Sequence, residues 1–227
     1  MTALHPASVR ESWDETAALR GVRLELPAGL LPSYRVPGQY VKLRAGATEG
    51  YFAFANAPGA VAELLVKRGS PVGDAVAALG PGAAVEVSEA QGPGFPVAAS
   101  EGRDLLLFAA GSGITPLRAV VGHVTAARAR FCRVILFYGQ RRPDDFAYRD
   151  EHPRWQAAGV ELVPVVSNPE GTSWSGDTGH VQDALLHLRP STERAVAFLC
   201  GMKPMVAGVS EALASLGLPR ERVHLNY

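Results

Sequence analysis

One junction constrains this chain more than any other feature. The run Asp104–Ala110, apolar after its first residue, leads directly into Gly111-Ser112-Gly113-Ile114-Thr115-Pro116 and then into a stretch of helical composition. A strand without polar alternation is buried on both faces, which is the situation of a parallel sheet covered by helices. A glycine turn between such a strand and a helix lets backbone N–H groups approach a pyrophosphate at the helix N-terminus. Thr115 is expected to cap that helix and Pro116 to take its first position. The turn falls short of a full Gly-x-Gly-x-x-Gly pattern, so two readings stand on local grounds. It is either a phosphate cradle or a tight strand–helix connection.

After residue 102 strand and helix alternate. Helices are expected over 115–130, 146–158, 179–188 and 202–216, with further strands at 133–138, 160–166, 195–199 and 222–225. That order predicts a Rossmann-like parallel sheet with helices on both faces. Before residue 100 the rhythm is different. Short strands are expected at 22–26, 39–43, 51–55, Ala62–Lys67 and 84–88, cut by Ala57-Pro58-Gly59, Gly69-Ser70-Pro71 and Gly80-Pro81-Gly82. Strands so spaced predict a small antiparallel β barrel, interrupted by one short helix at 73–79. The chain of 227 residues is long enough for both, and the expected domains are 1–100 and 101–227.

Composition removes several functions. Lys+Arg 22 against Asp+Glu 22 leaves a net charge of 0, so nothing global favours nucleic acid or an anionic membrane. With 47% hydrophobic and 19% charged residues, a packed core is expected rather than disorder. No apolar stretch is long enough to insert in a membrane, and the acidic start (Glu11, Asp14, Glu15) is unlike a targeting peptide, so a cytoplasmic location is expected. Two cysteines cannot build an iron–sulfur cluster, and the six histidines lack metal-ligand spacing, so no metal is expected. Cys200-Gly201-Met202 occupies, after the strand at 195–199, the place that Gly111-Ser112-Gly113 occupies after its own strand. Cys200 either faces the ligand crevice at the carboxyl end of the sheet or is a small buried hydrophobe. Cys132 is read as buried.

In order, these segments resemble the ferredoxin–NADP reductase family along nearly the whole chain. The resemblance is carried by Gly38-Gln39-Tyr40, the aromatic strand from Tyr51 to Asn56, and the segment from Gly80 to Gly94. It continues through Gly111 to Pro116, Tyr138-Gly139-Gln140-Arg141, Cys200-Gly201-Met202 and the terminal His224-Leu225-Asn226-Tyr227. It implies an antiparallel flavin-binding barrel followed by a nicotinamide-dinucleotide domain, an FAD cofactor, and NADH or NADPH as co-substrate. Hydride would pass between nicotinamide and flavin at the domain interface, and electrons would leave to a separate, unidentified acceptor.

The resemblance also implies residues. The flavin would lie along Phe52, Ala53, Phe54, Ala55 and Asn56, with Tyr40 on the next strand and Val66, Lys67 and Gly73 nearby. The dinucleotide pyrophosphate would sit on Gly111, Ser112, Gly113, Ile114, Thr115 and Pro116. Tyr138, Gly139, Arg141, Ser167 and Asn168 would line the adenosine end. Cys200, with Gly201 and Met202, would approach the reacting carbon, and Tyr227 would stack on the flavin. The family's Arg-x-Tyr-Ser reads Gly50-Tyr51-Phe52-Ala53 here, without the arginine or the serine. Asp74 also brings a carboxylate where the family offers a neutral hydroxyl. Two rivals follow: a flavin reductase that releases its product, and a nucleotide-binding module without chemistry.

Overall fold

The computed structural model describes residues 2–226. Six antiparallel strands come first: β1 (His5–Thr16), β2 (Leu19–Glu25), β3 (Tyr40–Ala45), β4 (Thr48–Ala53), β5 (Ala62–Lys67) and β6 (Ala84–Val87). Their spatial order is β4-β3-β6-β1-β2-β5, and a bridge from Phe54 to Leu64 draws the two outer strands together into a barrel. Val9, Val22, Leu43, Leu64 and Val87 fill its interior. One end is covered by α1 (Pro71–Ala77), where Ser70 Oγ accepts the Gly73 N–H and Pro71 lies in the first turn.

No strand was expected before residue 22, yet β1 runs for twelve residues between β2 and β6. Val9 is its one buried side chain, so no apolar alternation announces it. Register shifts after Val9 and after Asp14 bend it further from a regular strand.

A parallel sheet follows, built from β7 (Asp104–Ala110), β8 (Val134–Gln140), β9 (Glu161–Val166), β10 (Asp177–Thr178), β11 (Ala195–Cys200) and β12 (Val223–Leu225). Its order is β10-β9-β8-β7-β11-β12. The helices are α2 (Ile114–Ala126), α3 (His152–Ala157), α4 (Val181–Leu188) and α5 (Lys203–Ser215). Strand β7 is sealed on both sides, as its composition requires. Leu105, Leu107 and Ala109 pack with α2, while Leu106 and Phe108 pack with α4 and α5.

The helix expected over 146–158 shrinks to α3. Tyr148 adopts a left-handed conformation, φ 60°, which no helix tolerates, and a 3-10 turn over Arg149–Glu151 precedes α3. Phe146, Ala147 and Tyr148 are nevertheless buried. Their apolarity reflects a loop packed against the core and not a helix face. Leu19, Ala55, Leu65 and Phe95 of the barrel side share one dry cluster with Leu117, Val120 and Phe198 of the parallel sheet, and the rings of Phe95 and Phe198 stack at 4.8 Å. Among the described residues no helix is long and apolar enough to cross a membrane.

Candidate functional site

Where β7, β8, β9 and β11 end, they face β4, β5 and α1 of the barrel across a cleft of about 1040 Å³. Ligand crevices of open parallel sheets lie at this end of the strands. Its sheet-side floor is the turn after β7. Gly111, with φ +59°, opens a 3-10 turn that winds on into α2. Gly113 has ordinary helical angles, but a Cβ there would lie 2.1 Å from the Cys200 carbonyl oxygen. The turns after β7 and β11 therefore touch backbone to backbone, and this contact sets Cys200 beside the glycine turn.

Two local expectations need correction. Because the turn is already helical, α2 starts at Ile114, and Pro116 falls in its third position. The Thr115 hydroxyl caps no N–H; it donates to the Ser112 carbonyl at 2.7 Å and is buried. Both Thr115 and Pro116 still line the cleft, together with Gly111, Ser112 and Gly113, while Ile114 is wholly buried beneath them.

At the far end of this wall, Ser167 N–H donates to the Gln140 carbonyl and Asn168 N–H to the Arg141 carbonyl. The β8–β9 pairing thus continues past the strands and places Arg141 beside Ser167 and Asn168. These three and Gly139 line the cleft, whereas Arg142 turns away to the Glu170 carbonyl. Tyr138 does not reach the cleft. Its buried hydroxyl accepts from Gln140 Nε2 at 2.8 Å and from the Ala147 N–H at 3.1 Å, and burial pushes its pKa up. It braces the wall from behind.

Cys200, Gly201 and Met202 complete this side. Burial pushes the Cys200 thiol up to about 11, against a smaller lowering from the side chain of Asn226, so it is neutral at physiological pH. Cys132, expected to be buried, is half-exposed. Tyr227 lies outside the described residues.

On the barrel side the cleft meets Phe52, Ala53, Lys67 and Gly73. Other expected residues do not reach it. Phe54 turns inward and stacks on Tyr34 at 4.0 Å, Ala55 joins the dry cluster between the sheets, and Val66 is sealed in the barrel. Asn56 faces a separate groove, its amide engaged with Ala57, Val61 and Glu63. Tyr40 stands beside the cleft with its ring edge against Tyr51. Asp74, feared as a repulsive carboxylate, accepts from the Gly69 N–H and does not line the cleft.

Sequence reasoning missed Tyr51, Ser70, Val72, His180 and Met205 as lining residues. For Tyr51 the signal was present, since strand alternation places it on the face of Ala53. Among the described residues the lining carries the cations Lys67 and Arg141 and no carboxylate. A cleft of this length and sign, floored by a backbone turn, suits dinucleotide phosphates.

Comparison with known proteins agrees with this geometry. Residues 107–211 match the family model described as oxidoreductase NAD-binding domain. The gamma subunit of sulfhydrogenase 1 from Pyrococcus furiosus is 29% identical over 97% of this chain and 78% of its own. Ferredoxin–NADP reductase B from Sorangium cellulosum is 36% identical over 53% of this chain and 52% of its own. Among solved structures, a ferredoxin NADP+ reductase from Neisseria gonorrhoeae with bound FAD and NADP superposes with a TM-score of 0.82, covering 100% of both chains at 20% identity. At that identity the superposition speaks for the fold. The chain thus carries an oxidoreductase NAD-binding domain over residues 107–211 and is similar, in fold and in its relatives, to the ferredoxin–NADP reductase-like family.

Proposed function

We propose that residues 1–100 hold FAD along β4 and residues 101–227 hold NAD(P)H on the turn after β7, so that electrons pass through the flavin to a separate redox partner. The observation that carries this reading is the single cleft shared by both walls. It brings Phe52 and Ala53 opposite Gly111, Ser112 and Cys200 with no carboxylate in the lining.

The residues fit both groups. A Cβ on Gly73 would lie 2.1 Å from the Lys67 carbonyl, so only glycine lets α1 close onto the end of β5, where Lys67 supplies charge for a phosphate. A bound flavin would supply the capacity to accept hydride and hand on electrons. The chain supplies position and environment. Gly111 and Ser112 present backbone to the dinucleotide pyrophosphate. Ser167, Asn168 and Arg141 receive the adenosine end. Cys200, neutral and half-buried, packs against the nicotinamide without placing an anion near the transferring hydride. Burying the reacting atoms between two walls excludes water and aligns them, which is the main contribution a protein makes to such a step.

The acceptor is a protein or small molecule that takes electrons at the open mouth of the cleft, where Tyr51 is 63% and Met202 67% exposed. A second reading, release of reduced flavin as product, draws on the absence of arginine at position 50. Gel filtration of the flavin-loaded protein tests the choice. Yellow colour that travels with the protein supports the bound-flavin reading, and colour that separates from it supports release.

A further inference from the structure

The dry cluster between the two sheets holds them together, but apolar contact is non-directional and does not fix an angle. One polar device crosses the same boundary. Arg118 lies on α2, one turn beyond the glycine turn that carries the pyrophosphate in the reading above. Its Nη1 donates to the Ala55 carbonyl at 2.9 Å and to Glu63 Oε2 at 2.8 Å, both on the barrel. Its Nε and Nη2 grip Glu151 at 3.0 and 2.6 Å. The guanidinium carbon lies over the Tyr148 ring, 4.4 Å from its centre, and the Tyr148 N–H reaches back to Glu15 on β1. Glu63 is shared with Arg23 of β2.

Burial works to raise the Glu63 carboxyl and to lower the Arg118 guanidinium. Their partners outweigh it in both cases, so Glu63 is held below its ordinary value, Arg118 above its own, and both stay charged. The side chains are only 10% and 17% exposed. A forked, stacked guanidinium tolerates little rotation, unlike an apolar patch or a lysine. Ala55 lies two residues past the end of β4, the strand proposed to carry the flavin. Buried ionic groups are best attested as setters of register.

We infer that Arg118 is a positioning residue for hydride transfer: it ties the nicotinamide-bearing helix α2 to Ala55 and Glu63 of the flavin-bearing barrel and so sets the approach of donor to acceptor. This rests on the oxidoreductase reading of the cleft. Arg118 does not line the cleft, so its loss acts on geometry and leaves both binding walls intact.

The test is anaerobic stopped-flow reduction of the flavin-loaded full chain by NADH, which separates the limiting rate from the dissociation constant. Arg118→Gln is expected to slow the limiting rate by roughly tenfold or more, because small misplacements of reacting atoms are costly. The NADH dissociation constant should stay within about threefold and the flavin should remain bound, with Arg118→Lys recovering only part of the rate. A limiting rate within about twofold of the unaltered chain overturns the inference, as does equal loss of rate and affinity, which would mark general disruption. If Arg118→Gln fails to fold, Arg118→Lys and Glu151→Gln carry the same criteria. No flavin reduction in the unaltered chain would sink the oxidoreductase reading itself, and this inference with it.

Discussion

The two walls of the cleft are built on different terms. The sheet side is made of backbone: Gly113 is pressed against the Cys200 carbonyl so tightly that a single Cβ would stand at 2.1 Å. The barrel side, apart from the equally tight Gly73, is made of side chains, with Phe52, Ala53 and one cation, Lys67. Backbone geometry leaves little room for substitution, whereas a side-chain wall can lose a charge and keep its shape. The nicotinamide wall should therefore fail abruptly on mutation and the flavin wall by degrees.

The largest effect is expected from Gly113→Ala. The added methyl meets backbone atoms that cannot move aside, so the turn must open, and NADH affinity should fall by about a hundredfold with a stability loss of roughly 1–3 kcal/mol. Gly111→Ala is the contrast, since nothing lies within 4 Å of a Cβ there. It bears only the left-handed backbone cost of about 1–2 kcal/mol, and affinity should change little. Thermal melts and NADH titrations check both. Equal affinity losses would erase the difference between a packed and an open glycine.

On the barrel wall, Lys67→Ala should weaken flavin binding by roughly tenfold, since it removes a charge-assisted contact worth about 1.5 kcal/mol. Restoring arginine at position 50 is a sharper probe. A Cβ on Gly50 would lie 2.9 Å from Val72 Cγ1. Gly50→Arg alone should gain nothing, while Gly50→Arg with Val72→Ala should tighten flavin binding. Fluorescence titration with FAD distinguishes these outcomes.

At the adenosine end the wall offers Arg141, Ser167 and Asn168, and Arg142 is engaged elsewhere. NADH should be used at least as well as NADPH, and Arg141→Ala should raise the NADPH Michaelis constant about threefold more than that of NADH, as expected from losing one exposed charge on a phosphate. A hundredfold preference for NADPH in the unaltered chain would contradict this account of the wall.

The smallest expected effect concerns acid. Glu63 has its folded pKa lowered from 4.5 by Arg23 and Arg118 despite the opposing effect of burial. Its stabilisation is therefore complete above about 4.5 and is lost as pH falls through the folded value. Melting temperature should decline below that pH, and the decline should be shallower in Glu63→Gln. An unchanged acid limb would show that the ion network between the sheets contributes nothing to this response.

Much of this was legible beforehand, and for identifiable reasons. Asp104–Ala110 was placed to the residue because continuous burial leaves an apolar run after its first residue, and Ala62–Lys67 because Leu64, Leu65 and Val66 sit between two clear turn signals. Strand β1 was invisible because its pairing rests on backbone and its exposed residues follow no period. Phe54, Ala55 and Val66 were assigned to the flavin because a linear motif does not say which side of a strand a residue faces. Arg118 was passed over entirely. Its partners Glu63 and Glu151 lie 55 and 33 residues away, a separation that no local pattern encodes.

The central claim is that one cleft brings nicotinamide and flavin together. Its most direct test is single-turnover mixing of FAD-loaded protein with NADH in the absence of oxygen, following the visible flavin absorbance, with Gly113→Ala alongside. Rapid bleaching in the unaltered chain, lost in Gly113→Ala while its flavin stays bound, is the predicted result. A flavin band that NADH and NADPH both leave unchanged would contradict it.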